Sequence, residues 1–142
     1  ALASIVAWMQ EEPRANLRPP LMIDAAHPDD WPIAHADAIL CINMVHISPW
    51  DATLGLLRGA ARLLPDGGPL YLYGPYLREG VETAPSNLAF DQSLRARNPA
   101  WGLRAVEVVA NTAAIEGLAL QRIVEMPANN LSLIFRRDPR PD

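Results

Sequence analysis

Three consecutive blocks decide the fold, namely residues 21–25 (LMIDA), 36–46 (ADAILCINMVH) and 57–72 (LRGAARLLPDGGPLYL). Each block contains a short apolar run that ends on a polar residue or is bounded by a glycine- or proline-rich turn. Such runs are typical of strands that are buried in a parallel sheet. We therefore predict strands at residues 21–24, 38–42 and 70–73.

Helical patterns separate and follow these strands. Helices are predicted over residues 2–12, 49–64, 87–97 and 103–116. Ser48 is the expected N-cap of the second helix, with Asp51 as its capping-box partner. Ser86 is the expected N-cap of the third helix, and Gly117 is the expected left-handed stop of the fourth.

Two further strands, residues 120–125 and 131–136, close the chain. The five residues that join them are too few for a helical crossover, so the pair should form an antiparallel hairpin. Strands that alternate with helices predict an α/β fold, here a doubly wound sheet with a reversed final strand. We place a single domain at residues 1–137 and expect a disordered tail at 138–142.

Composition argues against several functional classes. The net charge is −4 and the 12 cationic side chains, all arginine, are scattered, so nucleic-acid binding is not expected unless a local arginine patch exists. Cys41 is the single cysteine, which excludes an internal disulfide, and with three loosely spaced histidines it predicts no metal site. No apolar run approaches the roughly 20 residues of a membrane span, and no signal peptide is evident. A cytoplasmic protein is the expectation.

Several motifs resemble those of a known superfamily. Asp24-Ala25, Trp31-Pro32-Ile33 and Ala36-Asp37-Ala38-Ile39 are similar to a stretch of class I S-adenosylmethionine-dependent methyltransferases. Residues 62–68 (RLLPDGG) resemble the turn before the fifth strand of that superfamily. Residues 43–50, 73–76, 97–102 and 126–131 more closely resemble the DUF938 family, which includes methyltransferase-like protein 26.

The resemblance implies a Rossmann-like methyltransferase sheet with an antiparallel terminal hairpin, and S-adenosylmethionine as cofactor. Asp24 would accept from the adenine amino group, and the backbone of Ala25 would approach the ring. Asn43, Met44 and Val45 would line the methionine end and the methyl-transfer site. The alternatives are that Asp24 caps a loop and that Asn43 makes local turn bonds.

The resemblance also points to an acceptor side of the site for a small molecule. His46 would act as general base, since its reference pKa suits neutral pH; the alternatives are a cap of the next helix or a bond to Ser48. Tyr76, Asn87 and Asn130 would lie near the substrate.

One expected feature is missing from the sequence. No G-x-G turn follows an N-terminal strand, so strands one and two of the family order 3-2-1-4-5-7-6 are not found. Their absence would leave a gap of roughly 10–14 Å between strands three and four. Either residues 21–24 pair directly with residues 38–42, or the gap persists and the chain is unstable or oligomeric.

The chain is therefore interpreted as the C-terminal portion of a methyltransferase-like protein, weak or inactive alone. A non-catalytic interaction module that kept the fold and lost the cofactor is the alternative. A Rossmann dehydrogenase is a weaker reading, because the terminal antiparallel hairpin argues against it.

Overall fold

The computed structural model describes residues 1–141. Its helices and strands follow in chain order: α1 Leu2–Glu11, β1 Ile39–Ile42, α2 Trp50–Leu63, β2 Pro69–Gly74, α3 Pro85–Arg97, α4 Val106–Ile115, β3 Leu118–Met126 and β4 Asn130–Arg137. Short 3₁₀ turns lie at Pro28–Asp30, Val45–Ile47 and Pro127–Asn129. Every helix predicted from the sequence is present, with shifts of up to three residues at its ends.

The four strands form one mixed sheet in the order β1-β2-β4-β3. β1 and β2 are parallel and joined through α2, whereas β4 is antiparallel to both of its neighbours. This arrangement is the 4-5-7-6 part of the predicted order, so the α/β class, the reversed final strand and the terminal hairpin are confirmed.

The core lies between the sheet and helices α2 and α4. Alternation along β2 buries Leu70 and Leu72, while Tyr71 and Tyr73 stay partly exposed. Leu57 of α2 and Val109 of α4 pack in the same cluster as Phe135 of β4, and all three are fully buried. Gly117 has a φ of +82° and ends α4 as predicted.

The predicted strand at residues 21–24 is wrong, and so is its pairing with β1. This segment forms no strand, and Leu21, Met22 and Ile23 are 53%, 81% and 48% exposed. A parallel strand needs a neighbour on its edge to bond with its backbone. Among the described residues β1 pairs with β2 alone, so the other edge of β1 stays open. The instability or oligomerisation expected for an open edge stays a prediction.

Two predicted helix caps are also wrong. The Ser48 hydroxyl donates to the carbonyl oxygen of Met44 (2.9 Å) instead of capping α2, whose N-cap is Pro49. Ser86 lies inside the first turn of α3, since Pro85 begins that helix. The sequence does not fix the exact first residue of either helix, because helix ends vary by one or two residues and the proline beside each serine is compatible with either assignment.

The C-terminal tail turns back onto the domain in the described residues. The N–H of Asp138 donates to the carbonyl of Gly117 (2.8 Å), and the Arg140 guanidinium donates to the carbonyl of Leu64 (3.2 Å). Asp142 lies outside the described residues. The boundary at residue 137 stays a prediction.

The open edge of β1 generates a first test. Leu72→Ala should lower the free energy of unfolding by about 2–5 kcal/mol, because it leaves a cavity in the core. Leu40→Ala, at a position 66% exposed, should change it by no more than about 0.5 kcal/mol. Urea denaturation followed by circular dichroism measures both. Equal losses would show that a partner covers the Leu40 side chain in solution.

Candidate functional site

The site is built where the parallel strands β1 and β2 end. Asn43 follows β1 in the left-handed region, with a φ of +54°, a conformation that asparagine tolerates better than most residues. Its backbone N–H donates to the carbonyl of Tyr73 on β2 (2.9 Å). The turn therefore redirects the chain at the carboxyl edge of the sheet, the place where open α/β folds hold ligands.

His46 is placed beside this turn by the 3₁₀ segment that precedes α2. A Cβ on Gly74 would lie 3.3 Å from Cε1 and Nδ1 of His46, so the glycine allows the imidazole to approach the end of β2. Phe90 of α3 packs edge-on against the imidazole, with ring centroids 5.6 Å apart. The carbonyl of His46 accepts from the Gly102 N–H (3.0 Å), which holds the backbone.

The His46 imidazole is 5% exposed and makes no hydrogen bond to another side chain in residues 1–141. Burial lowers the pKa of His46 because it disfavours the charged imidazolium. The ring is therefore neutral at pH 7 and keeps one nitrogen able to accept a proton. The alternative partner, Ser48, is committed to Met44.

In front of His46 lies an open cleft of about 630 Å³, here called the His46 cleft. Its lining carries four asparagine amides, from Asn43, Asn87, Asn129 and Asn130. The structure thus brings four predicted site residues, Asn43, His46, Asn87 and Asn130, to one cavity.

Tyr76 faces a neighbouring cavity of about 240 Å³. The Asn87 amide donates to the carbonyl of Asn129 (3.1 Å), and both residues belong to both linings, so they form the wall between the two cavities. Tyr76 is buried, and that burial, with a smaller effect from Cys41, raises the pKa of its hydroxyl. Tyr76 is therefore separated from His46 rather than joined to it.

The predicted adenine contacts lie outside the His46 cleft lining. The Asp24 carboxylate accepts from the Ala26 N–H (2.9 Å) and contacts Nδ1 of His27 (3.1 Å). These two bonds, in that order of size, lower the pKa of Asp24. Asp24 therefore caps its own loop here, which was the alternative left open. A Cβ on Gly55 of α2 would clash with the carbonyl oxygen of Ala25, so the loop packs directly on that helix.

Val45 and Met44, predicted to line the methionine end of the cofactor, do not present their side chains to the His46 cleft. The side chain of Val45 is 3% exposed and belongs to the core, which leaves only its backbone to face a ligand. The Met44 sulfur lies 3.0 Å from the Ser48 hydroxyl and is absent from the described cleft lining. Asn43 alone of the three presents a side chain to the His46 cleft.

The lining also contains residues that the sequence analysis did not predict as site residues, among them Ser86, Phe90, Arg97 and Asn129. Their signal was present in part, since the first three recur at spacings of four and seven along α3. Those spacings place side chains on one face of a helix. No sequence signal distinguishes Asn129 from the other residues of the hairpin connection, because the conformation of the hairpin determines which of them faces the cleft.

Backbone strain is concentrated at the same cleft. Within residues 1–141, the non-glycine residues with positive φ are Asn43 (54°), Ala128 (59°) and Asn129 (57°), and all line it. For an L-residue such as alanine the left-handed region costs about 1–2 kcal/mol. Strained backbone of this kind is common at functional sites.

Ala128→Gly should therefore raise the free energy of unfolding by about 0.5–1 kcal/mol, since glycine adopts this φ freely. The matched control is Ala84→Gly at a φ of −55°, which should lower it by about 0.5–1 kcal/mol because only the unfolded chain gains freedom. Thermal unfolding of both variants measures the difference. A loss in Ala128→Gly would contradict the strain assignment.

The lowered pKa of His46 predicts a pH dependence of stability. The unfolded chain binds a proton more readily than the folded one, so unfolding should become easier as the pH falls below about 6.5. The loss stops growing once the pH is below the lowered pKa of the folded state. Urea midpoints between pH 7.5 and 5 should show this slope in the native chain and in His35→Gln. His46→Gln should lose it, and an unchanged slope in that variant would refute the assignment.

No group of three or more potential metal ligands occurs in the part of the chain that the structure describes. Within those residues, no helix combines the length and the apolar character needed to cross a membrane.

Solved methyltransferases share this fold. The mitomycin 7-O-methyltransferase MmcR has a TM-score of 0.80 at 19% identity, covering 96% of this chain and 39% of that one. PigF with SAH has a TM-score of 0.78 at 16% identity, and the match covers 96% of this chain and 40% of PigF. An O-methyltransferase family 2 protein from Planctomyces limnophilus, in complex with apigenin, has a TM-score of 0.68 at 18% identity. That match covers 76% of this chain and 32% of the Planctomyces protein.

Those identities establish the fold alone, and the chain spans about 40% of the length of proteins such as PigF and LaPhzM. A family described as "Protein of unknown function (DUF938)" matches residues 1–137. The chain therefore belongs to the DUF938 family, and its sheet has the Rossmann-like fold of class I S-adenosylmethionine-dependent methyltransferases.

Proposed function

We propose that this chain forms the acceptor side of an S-adenosylmethionine-dependent methyltransferase that acts on a small molecule. The observation that carries the proposal is the His46 cleft, where a neutral imidazole and the Asn43 amide meet at the carboxyl edge of the parallel strands. The fold shared with solved methyltransferases supports the same assignment.

The residues present fit the methyl-donor end of the cofactor. When bound, S-adenosylmethionine supplies a methyl group on a positively charged sulfur. The Asn43 side chain makes no hydrogen bond within residues 1–141, so it offers both donor and acceptor without adding charge. A fixed cation here would repel the sulfonium, whereas an amide orients the methionine end, together with the backbone of Met44 and Val45.

The loop that carries Asp24 packs on α2 through Ala25, whose carbonyl lies against Gly55. In the proposed complex Asp24 would accept from the adenine amino group. Asp24 would then exchange its bond to His27 for the ligand, while the Ala25 backbone stays beside the ring.

His46 would receive the proton of the acceptor. A neutral imidazole here would accept the proton that a hydroxyl acceptor loses when its oxygen takes the methyl group from the sulfur of the cofactor, and the carbon–sulfur electron pair would remain with sulfur. Alignment supplies most of the rate in such a transfer, and a positioned general base adds to it. Asn87 and Asn130, which line the same cleft, would orient the acceptor.

A non-catalytic interaction module is the second candidate. The open edge of β1, with Leu40 and Ile42 66% and 58% exposed, favours it, because such edges pair with other chains. This candidate predicts that the β1 edge binds a partner while the His46 cleft binds no cofactor.

Titration with S-adenosylhomocysteine tests the proposal. Because the sequence holds no G-x-G turn after a strand, we expect binding in the millimolar range. In two-dimensional NMR spectra, the ligand should change the chemical shifts of the Asn43 side-chain amide and of the backbone amides of residues 24–27. Asn43→Gly keeps the left-handed turn and should weaken binding by about tenfold.

Asn111→Gly, on the exposed face of α4, is the matched control and should bind as the native chain does. Micromolar affinity would contradict the expected weakness of the chain. Saturating ligand without any shift at Asn43 would refute the methyltransferase assignment and favour the interaction module.

A further inference from the structure

We propose that the methyl acceptor carries an anionic group, a carboxylate in the simplest form, and that Arg97 is the residue that pairs with it. This inference rests on the proposed function for the role of the bound molecule as acceptor. The binding chemistry itself depends only on the charges around the His46 cleft.

The lining of the His46 cleft is free of carboxylates. Its ionisable side chains are the imidazole of His46, which burial keeps neutral, and the guanidinium of Arg97. The remaining polar groups are amides and the Ser86 hydroxyl. The cleft therefore carries one positive charge with no negative charge in its wall, so an anion is favoured and a cation is not.

Arg97 is the arginine at this end of α3 that has no acidic partner among residues 1–141. Two residues earlier, Arg95 pairs with Asp91 at 2.9 Å. Burial opposes ionisation of Asp91, but the hydrogen bonds from Arg95 and from the Leu103 N–H outweigh it and lower the pKa of Asp91. The Asp91 charge is thus already committed to Arg95, which leaves Arg97 available.

The neighbouring arginine on the other side is committed as well. Arg104 donates to the carbonyls of Ser48 (3.2 Å) and Ala100 (2.8 Å). It also lies over the Trp50 ring, 5.6 Å from its centroid. The Arg104 guanidinium therefore has a structural role, and Arg104 is not among the residues that line the cleft.

The exposed side chain of Arg97 makes no hydrogen bond through its N–H donors within residues 1–141. Its guanidinium carbon lies 5.9 Å from the centroid of the Trp101 ring, a cation–π contact that restricts the side chain. A planar guanidinium positioned this way presents paired donors, which match the two oxygens of a carboxylate.

Phe90 and Arg97 both line the cleft from α3. Phe90 packs against His46, and Arg97 follows seven residues later, a rise of about 10 Å along the helix. An acceptor with its hydroxyl at His46 and its acid at Arg97 would therefore be about as long as a substituted ring, and Phe90 would contact that ring. A hydroxyaryl acid has this form.

The test uses 4-hydroxybenzoate and its neutral counterpart 4-hydroxybenzamide, each titrated at pH 7.5 while the imidazole signals of His46 are followed by NMR. We expect the benzoate to bind about tenfold more tightly, because a charge-assisted pair replaces a neutral hydrogen bond. Arg97→Gln should remove that preference, Arg97→Lys should keep part of it, and added salt should reduce it.

Arg122→Gln, on the exposed part of β3, is the matched control and should bind both probes as the native chain does. Equal binding of the two probes by the native chain, no binding of either, or an unchanged preference in Arg97→Gln would each overturn the proposal.

The two proposals fail separately. Preference for the benzoate without any S-adenosylhomocysteine shift at Asn43 would support the anion site and refute methyl transfer. The Asn43 shift without a preference for the benzoate would leave methyl transfer standing and refute an anionic acceptor.

Discussion

The pairing of β1 with β2 is the constraint on which the rest of the site depends. Parallel strands end at the same edge, so the turn at Asn43 and the glycine at Gly74 arrive side by side. The hydrogen bond from Asn43 to Tyr73 then fixes where the chain leaves the sheet. Without that register the imidazole of His46 would meet a side chain instead of the open face of a glycine.

The hairpin between β3 and β4 closes the site from the other side, at a cost in backbone energy. Ala128 and Asn129 both take the left-handed conformation, and the Asn87 amide binds the Asn129 carbonyl. α3 and the hairpin tip are therefore held together through a polar contact rather than through the core. A contact of this kind positions amides toward a ligand, and the strain at Ala128 indicates that the position matters more than local stability.

Much of the fold could be predicted because its elements are bounded by strong local signals. The apolar stripe of α2, the short β3–β4 connection and the stop at Gly117 each reflect a rule that acts within a few residues. The strand at residues 21–24 failed for a different reason. Its composition is that of a strand, but a strand exists only where another offers backbone partners, and no local pattern reports whether one does.

The order of helices and strands, the reversed final strand, the family and the candidates Asn43, His46, Asn87 and Asn130 follow from the amino-acid sequence. The folded chain is needed to see that these four residues share one cleft, that Tyr76 faces another cavity, and that Phe90 and Arg97 line the cleft with His46. The physical reason is that composition sets which side chains can be buried or bonded. Their directions depend on strand register, on the helix face that packs inward and on left-handed turns, and these are set by the whole assembly.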